Sequence, residues 1–232
     1  MVFLVSLVAA ALVVLLFRIP LQKVPFIFYV VALALVALYL YAYFYGVPIL
    51  VWRYLLVSMQ RCTLALAFFT IVMFIGVFPE KSKFRSALMP IRRQLSILGS
   101  ILAFGHIIVY ITSYIVRFAS GFLEMSLNAT ASLSIALLLL VLLVMLLITS
   151  FTQVHKRMKH ESWKRLQRLS YPFYLLIFVH IILILMPSVL AGSASITLNI
   201  AIYSTMFISY SILRIVKYLN SKRDTAIGEP DS

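Results

Sequence analysis

Long apolar runs separated by short polar stretches repeat along this chain. They fall at about residues 1–17, 24–46, 61–79, 94–116, 131–151, 170–191 and 196–216. A helix needs about 20 apolar residues to cross the hydrocarbon core, with a usual range of roughly 17–25. None of the runs alternates apolar and polar residues strictly, as the strands of a membrane barrel would, so all seven read as helices. The pattern predicts an all-α integral membrane protein, a bundle of about seven transmembrane helices. The first run is short, but no basic segment precedes it and no clear cleavage box follows. It therefore reads as an uncleaved span, with a removed signal peptide as the alternative. Composition agrees: 64% of the residues are hydrophobic and 11% charged, where a soluble domain carries roughly a quarter charged residues.

The polar stretches carry the charge. The formal net charge is +14, which could indicate nucleic acid, but its distribution indicates a membrane. Of the 20 Lys and Arg residues, 17 fall in alternate segments: between spans one and two, three and four, five and six, and after span seven. The remaining segments hold Arg53, Arg61 and Arg117. This is the positive-inside pattern, which places the N-terminus outside and the C-terminus inside. The charge then reports topology and attraction to anionic lipid, and no nucleic-acid partner is expected. The single cysteine, Cys62, can form no disulfide within the chain and excludes a cysteine-clustered metal site, so it reads as an apolar filler of span three. Residues 47–60 mix apolar residues with Pro48, Trp52 and Arg53 and suit a helix lying on the outer surface. Residues 1–60 form an N-terminal unit of two spans and this interfacial segment, residues 61–218 a helical bundle, and residues 219–232 a disordered cytoplasmic tail.

Within the spans, two residues stand out. His106 and His180 lie deep in spans four and six, and an ionisable residue in hydrocarbon is costly enough to suggest function. Each is 12 residues from its inner boundary, at Gln94 and Arg168, so both rings lie at one depth, roughly 18 Å from the inner face. Two neutral imidazoles on facing helices could ligate a haem iron from both sides. Gly99, seven residues before His106, is on the same helical face and could let a porphyrin approach the backbone. The alternatives are close helix packing for Gly99 and, for the histidines, a hydrogen bond to a hydroxyl such as Tyr110 or Thr112. His155 and His160, among the lysines after span five, read as solvated residues.

The run from Arg92-Arg93 through Leu98-Gly99, Ala103-Phe104 and His106 to Tyr110 resembles a segment of ferric-reductase-like transmembrane domains. Leu147-Ile148-Thr149-Ser150 is similar to the end of the next helix in that family, and Trp163 to Tyr171 with His180 beyond it is similar to the one after. The resemblance covers about residues 61–215 and is strongest to the haem-binding membrane subunit of the bacterial methionine sulfoxide reductase system. It implies a six-helix ferric-reductase-like core plus an extra N-terminal span, with residues 61–218 as the haem-binding helical bundle and His106 and His180 as ligands of haem b.

The chain departs from the two-haem members of that family at Gln167 and Arg92, which stand where they carry a second histidine pair. Neither side chain ligates haem iron well: guanidinium stays protonated and an amide is a weak donor. One haem is therefore expected. Gln167 and Arg92 could instead hold a haem propionate, a quinone or a flavin at the inner face, or simply meet water and lipid headgroups. The resemblance implies a b-type cytochrome subunit in the cell membrane. It would pass electrons from a cytoplasmic-side or quinol donor to an extracytoplasmic acceptor, with redox partner proteins on one or both sides. No nicotinamide or flavin domain is recognisable in the sequence, so the reducing equivalents are expected from elsewhere. The alternatives are a non-redox transporter, which the lack of Asp or Glu inside any span disfavours, and a structural membrane subunit.

Overall fold

A computed structural model of the chain describes residues 1–46, 53–79, 81–119 and 126–227. Their regular structure is helical throughout: α1 (Val2–Lys23), α2 (Pro25–Tyr45), α3 (Arg53–Gln60), α4 (Thr63–Val77), α5 (Lys83–Leu88), a 3₁₀ turn at Met89–Ile91, α6 (Arg92–Ala119), α7 (Leu127–Ser150), α8 (Thr152–Arg157), α9 (His160–Gln167), α10 (Ser170–Leu190) and α11 (Ala194–Ile227). Six helices or continuous helix pairs are long and apolar enough to span a membrane, and a seventh span arises if α3 and α4 are taken together. The chain is a multi-pass membrane protein. Many large apolar side chains face outward, among them Leu16, Phe26, Leu33, Leu175 and Ile212, as helices solvated by lipid require.

The predicted spans match α1, α2, α4, α6, α7, α10 and α11 to within a few residues at most ends, with two clear differences. Helix α1 continues past Arg18 to Lys23, kinked at Phe17 (φ −110°, ψ 15°). Pro20 inside it supplies no amide hydrogen to the helix ladder, which explains a kink rather than a stop. Helix α11 runs on to Ile227, so residues 219–227 are helical where a disordered tail was expected. Nothing in that stretch breaks a helix before Gly228 and Pro230, and residues 228–232 lie outside the described residues. Of the stretch 47–60, where a surface helix was expected, residues Arg53–Gln60 are helical as α3, and residues 47–52 lie outside the described residues.

Helix α4 is the centre of the bundle. It is only 15 residues long, about 22 Å, and α3 meets it at 69°. The break is at Cys62, whose φ of 56° is left-handed and costs an L-residue about 1–2 kcal/mol. Eleven of the 15 residues of α4 are buried, from Thr63 to Val77, because α1, α6 and α11 enclose it. Carbonyls near its end accept from cationic side chains: Arg92 Nε donates to Val72 (3.2 Å), and Lys217 Nζ donates to Gly76 (2.9 Å), whose carbonyl lacks a helical partner. Helix α1 belongs to the same core. Ala10 and Val14 join the cluster around α4 and α6, Ser6 and Thr63 share a hydroxyl hydrogen bond of 2.9 Å, and Phe3 packs on Tyr203.

Candidate functional site

His106 and His180, 74 residues apart in sequence, line one cavity of about 370 Å³. This is within the roughly 300–1,000 Å³ of small-molecule and cofactor sites. Its walls come from α1, α4, α6, α7, α10 and α11 and are mainly aliphatic and aromatic, including Leu66, Phe69, Leu139 and Phe173.

The hydrogen bonds of the two rings decide what they can do. His106 Nδ1 lies 2.7 Å from the carbonyl oxygen of Gln60. His180 Nδ1 lies 3.0 Å from Ser132 Oγ and 3.1 Å from the Ser132 carbonyl oxygen. A carbonyl only accepts, so the Nδ1 of His106 carries the proton and that neutral ring keeps its Nε2 lone pair free; the Nδ1 of His180 does the same when it donates to the Ser132 carbonyl, the Ser132 hydroxyl being able to donate or accept. His106 is thus held in a tautomer that suits a metal ligand, and both rings have the kind of outer partner that orients ligating histidines. The Gln60 carbonyl owes its freedom to the helix break. In a continuous helix it would accept from the amide four residues on, but the left-handed Cys62 interrupts that ladder. On its other side His106 is flanked by the ring of Tyr110, at 4.5 Å between centroids. Thr112, the other hydroxyl considered from the sequence, donates instead to carbonyls of its own helix.

These features fit a haem. Among the described residues no group of three or more His, Cys, Asp or Glu side chains could hold a bare metal ion. Two imidazoles suffice where a macrocycle fills the other positions of the metal, and the apolar walls match a porphyrin face.

A second cavity, of about 910 Å³, opens toward the other end of the bundle. Arg92 and Gln167 both line it, so these two residues, singled out from the sequence, share one site. Gln167 Nε2 donates to Thr149 Oγ1 (3.0 Å), and Trp163 Nε1 donates to the Thr149 carbonyl (3.0 Å). Around them stand Arg93, Lys164, Arg168 and Arg214, and no Asp or Glu is among the described residues of the wall. Arg214 lies over the Tyr171 ring, 4.4 Å from its centroid. His155 also reaches this wall, against the Trp163 ring at 4.4 Å. It and His160 are exposed, in keeping with the solvated position expected for them. The two cavities share Phe69, Leu143 and Phe173, and the two phenylalanine rings meet edge to face at 5.4 Å.

Gly99 does not line the histidine cavity. A Cβ there would lie 3.0 and 3.2 Å from ring carbons of Phe69 and 3.3 Å from the Phe68 Cβ. It lets α6 approach α4 and seats Phe69 in the wall between the cavities, so its smallness serves helix packing rather than direct contact with a ring. Of the aromatics near the ligands in sequence, Phe173 lines the histidine cavity. Tyr174 is buried and donates to Thr70 (3.1 Å), and Phe178 packs on Phe207. The sequence reading missed Gln60 and Ser132. Ser132 leaves a faint signal as a hydroxyl within an apolar helix; the Gln60 carbonyl leaves none, since every residue has one.

Comparison with known proteins agrees with this architecture. A protein of Treponema pallidum (strain Nichols), described as uncharacterized, is 30% identical over 171 residues, covering 74% of this chain and 47% of its own length. The chain therefore spans about half the length of that curated relative. No solved structure matches. Residues 61–178 match the family described as ferric reductase like transmembrane component. That segment runs from the start of α4 into α10 and takes in His106, while His180 lies two residues beyond it, and on that match the chain belongs to the ferric reductase like transmembrane family.

Proposed function

We propose that the chain is a b-type cytochrome subunit of the cell membrane, holding one haem b between His106 and His180. It carries electrons from a cytoplasmic-side or quinol donor to an extracytoplasmic acceptor. The carrying observation is that both imidazoles line one apolar cavity with Nδ1 held by a carbonyl and Nε2 free. When bound, haem b supplies one-electron chemistry at an iron whose potential depends on its axial ligands and surroundings. The chain's own part is to orient the two Nε2 atoms and exclude water with Leu66, Phe69, Leu139 and Phe173. The basic walls of the second cavity, with Arg92 and Gln167, orient a quinone or a flavin at the inner face. Such an occupant shortens the roughly 18 Å from that face to the histidines, leaving the shared wall of Phe69, Leu143 and Phe173 between the two sites.

The charge distribution supports an N-terminus outside and a C-terminus inside, which puts the basic cavity on the cytoplasmic side. Within the family, the motif runs at Arg92–Tyr110 and Trp163–His180 favour kinship with the haem-binding membrane subunit of the methionine sulfoxide reductase system. The acceptor is then an exported redox protein.

Purified protein from haem-replete cells tests the reading. A Soret band and sharp dithionite-reduced α and β bands are expected, with one haem per chain in a pyridine haemochrome assay. The bands should vanish in His106→Ala and in His180→Ala. A colourless wild-type protein would overturn the haem, and two haems per chain would overturn the single site.

A further inference from the structure

The break between α3 and α4 takes two main-chain carbonyls away from their ordinary helical partners, and both turn to side chains. In an unbroken helix the Cys62 amide would donate to Ser58. It donates to Met59 instead, at 3.0 Å, because the backbone turns left-handed at Cys62. The Ser58 carbonyl accepts from Thr63 Oγ1 across the corner, at 3.3 Å. The Gln60 carbonyl lies 2.7 Å from His106 Nδ1. Only two residues separate these carbonyls, so what fixes one limits where the other points. The corner itself, at Arg61 and Cys62, lines the histidine cavity.

Thr63 has one hydroxyl proton, and the Ser58 carbonyl takes it. Its bond to Ser6 Oγ, at 2.9 Å, therefore runs from Ser6 to Thr63. The result is a relay, from Ser6 to Thr63 to the Ser58 carbonyl, that ties α1 to the corner. All three residues are buried, where a polar group that loses its partner is costly. The Ser58 hydroxyl takes no part, since it turns back to the Leu55 carbonyl at 2.8 Å. Helix α1 also gives Val2 and Phe3 to the wall of the histidine cavity. It lies outside residues 61–178, the segment that matches the family, so that match does not account for the tie.

We infer that Ser6 is a positioning residue for the haem ligand His106: through Thr63 it holds the α3–α4 corner at the angle where the Gln60 carbonyl accepts from Nδ1. This rests on the haem reading above. A firm bond from Nδ1–H to a carbonyl makes the imidazole a more basic ligand, and a more electron-rich ligand favours ferric iron. Loosening the corner weakens that bond while the ligand stays, so the haem becomes easier to reduce.

The test compares full-length wild type with Ser6→Ala, Thr63→Val and Thr63→Ser, each purified in detergent with haem bound. The readouts are redox titration at the α band and electron paramagnetic resonance of the ferric state, whose g values follow the ligand rings. Losing an outer partner of a metal-binding histidine costs roughly 10- to 100-fold. Breaking the relay displaces the partner without removing it. The preference for ferric haem should therefore fall by about three- to tenfold in Ser6→Ala and Thr63→Val, a rise in potential of about 30–60 mV at 59 mV per tenfold for one electron. Thr63→Ser keeps the hydroxyl and should keep the wild-type potential and g values. The double variant Ser6→Ala/Thr63→Val should shift no further than Thr63→Val, since Ser6 acts through Thr63. Ser6→Ala introduces the best helix former and carries the test if Thr63→Val does not fold. Haem-loaded Ser6→Ala with wild-type potential and g values would overturn this inference alone, whatever its thermal unfolding does, because a packing role predicts only lost stability. Additive shifts in the double variant would overturn the relay. Wild type without a Soret band would overturn the haem reading, and the positioning role with it.

Discussion

The histidine cavity has aliphatic and aromatic walls, two imidazoles fixed through Nδ1, and a single guanidinium. The cavity at the other end of α4, α6 and α10 is larger and gathers Arg92, Arg93, Lys164, Arg168 and Arg214. On the proposed function, one ligates and the other attracts. In low dielectric a neutral nitrogen lone pair can wait unpaired at small cost, whereas a guanidinium cannot, so the cations occur where the bundle opens toward its basic surface. Helix composition carries this division: α4 supplies apolar wall to both sites, and the basic helix ends and the α8–α9 segment surround the larger one only.

The largest effects should separate the two cavities. Arg92→Ala and Gln167→Ala are expected to leave the Soret band and the haem content unchanged, unlike the histidine variants, which lose the haem outright. What the inner variants should lose is reduction by the donor, with weaker docking of a reduced flavin or quinol by about 10- to 100-fold, the scale of one charge-assisted hydrogen bond. Stopped-flow reduction of the purified cytochrome measures this. Loss of the Soret band in Arg92→Ala would show that the two sites are not separable in function.

Those two cavities were unequally legible in the sequence. The spans could be read because lipid demands long apolar runs, and the histidine pair because ionisable side chains are rare in them. Even so, the corner at Cys62 was hidden, since neither Gly nor Pro marks it. The backbone carbonyl of Gln60 was invisible for a related reason: its role depends on a hydrogen bond that is missing, not on a residue that is present. Arg92 and Gln167 were singled out only through the family resemblance. Arg93, Lys164, Arg168 and Arg214 looked like topology signals, and only folding shows that they share a cavity. Gly99 lies on the helical face of His106 by spacing, yet helical phase does not say which neighbour fills that face, and it is α4 that does so.

An intermediate effect is expected at the wall between the cavities. Gly99→Ala places a methyl 3.0 and 3.2 Å from the Phe69 ring, and Phe69 is held on its other side by Phe173 at 5.4 Å. Overpacking of this kind costs about 1–3 kcal/mol, so thermal unfolding should move down while the haem is retained. Shortening the clashing ring in Gly99→Ala/Phe69→Leu should recover much of the loss. A double variant no better than the single would mean that Phe68, not Phe69, takes the strain.

The smallest effect concerns an asymmetry between the two ligands. His106 is oriented by a main-chain carbonyl that no side-chain substitution removes. His180 has a hydroxyl at 3.0 Å and a carbonyl at 3.1 Å, both from Ser132. Losing an outer partner of a metal-binding histidine typically costs 10- to 100-fold in affinity. Because the carbonyl remains in Ser132→Ala, haem affinity should fall by about tenfold or less, at the lower end of that range. Haem release after dilution, timed at the Soret band, reads the difference directly. Complete loss of haem in Ser132→Ala would mean that the hydroxyl, not the carbonyl, holds the imidazole, and the proton on Nδ1 would then no longer follow from the geometry.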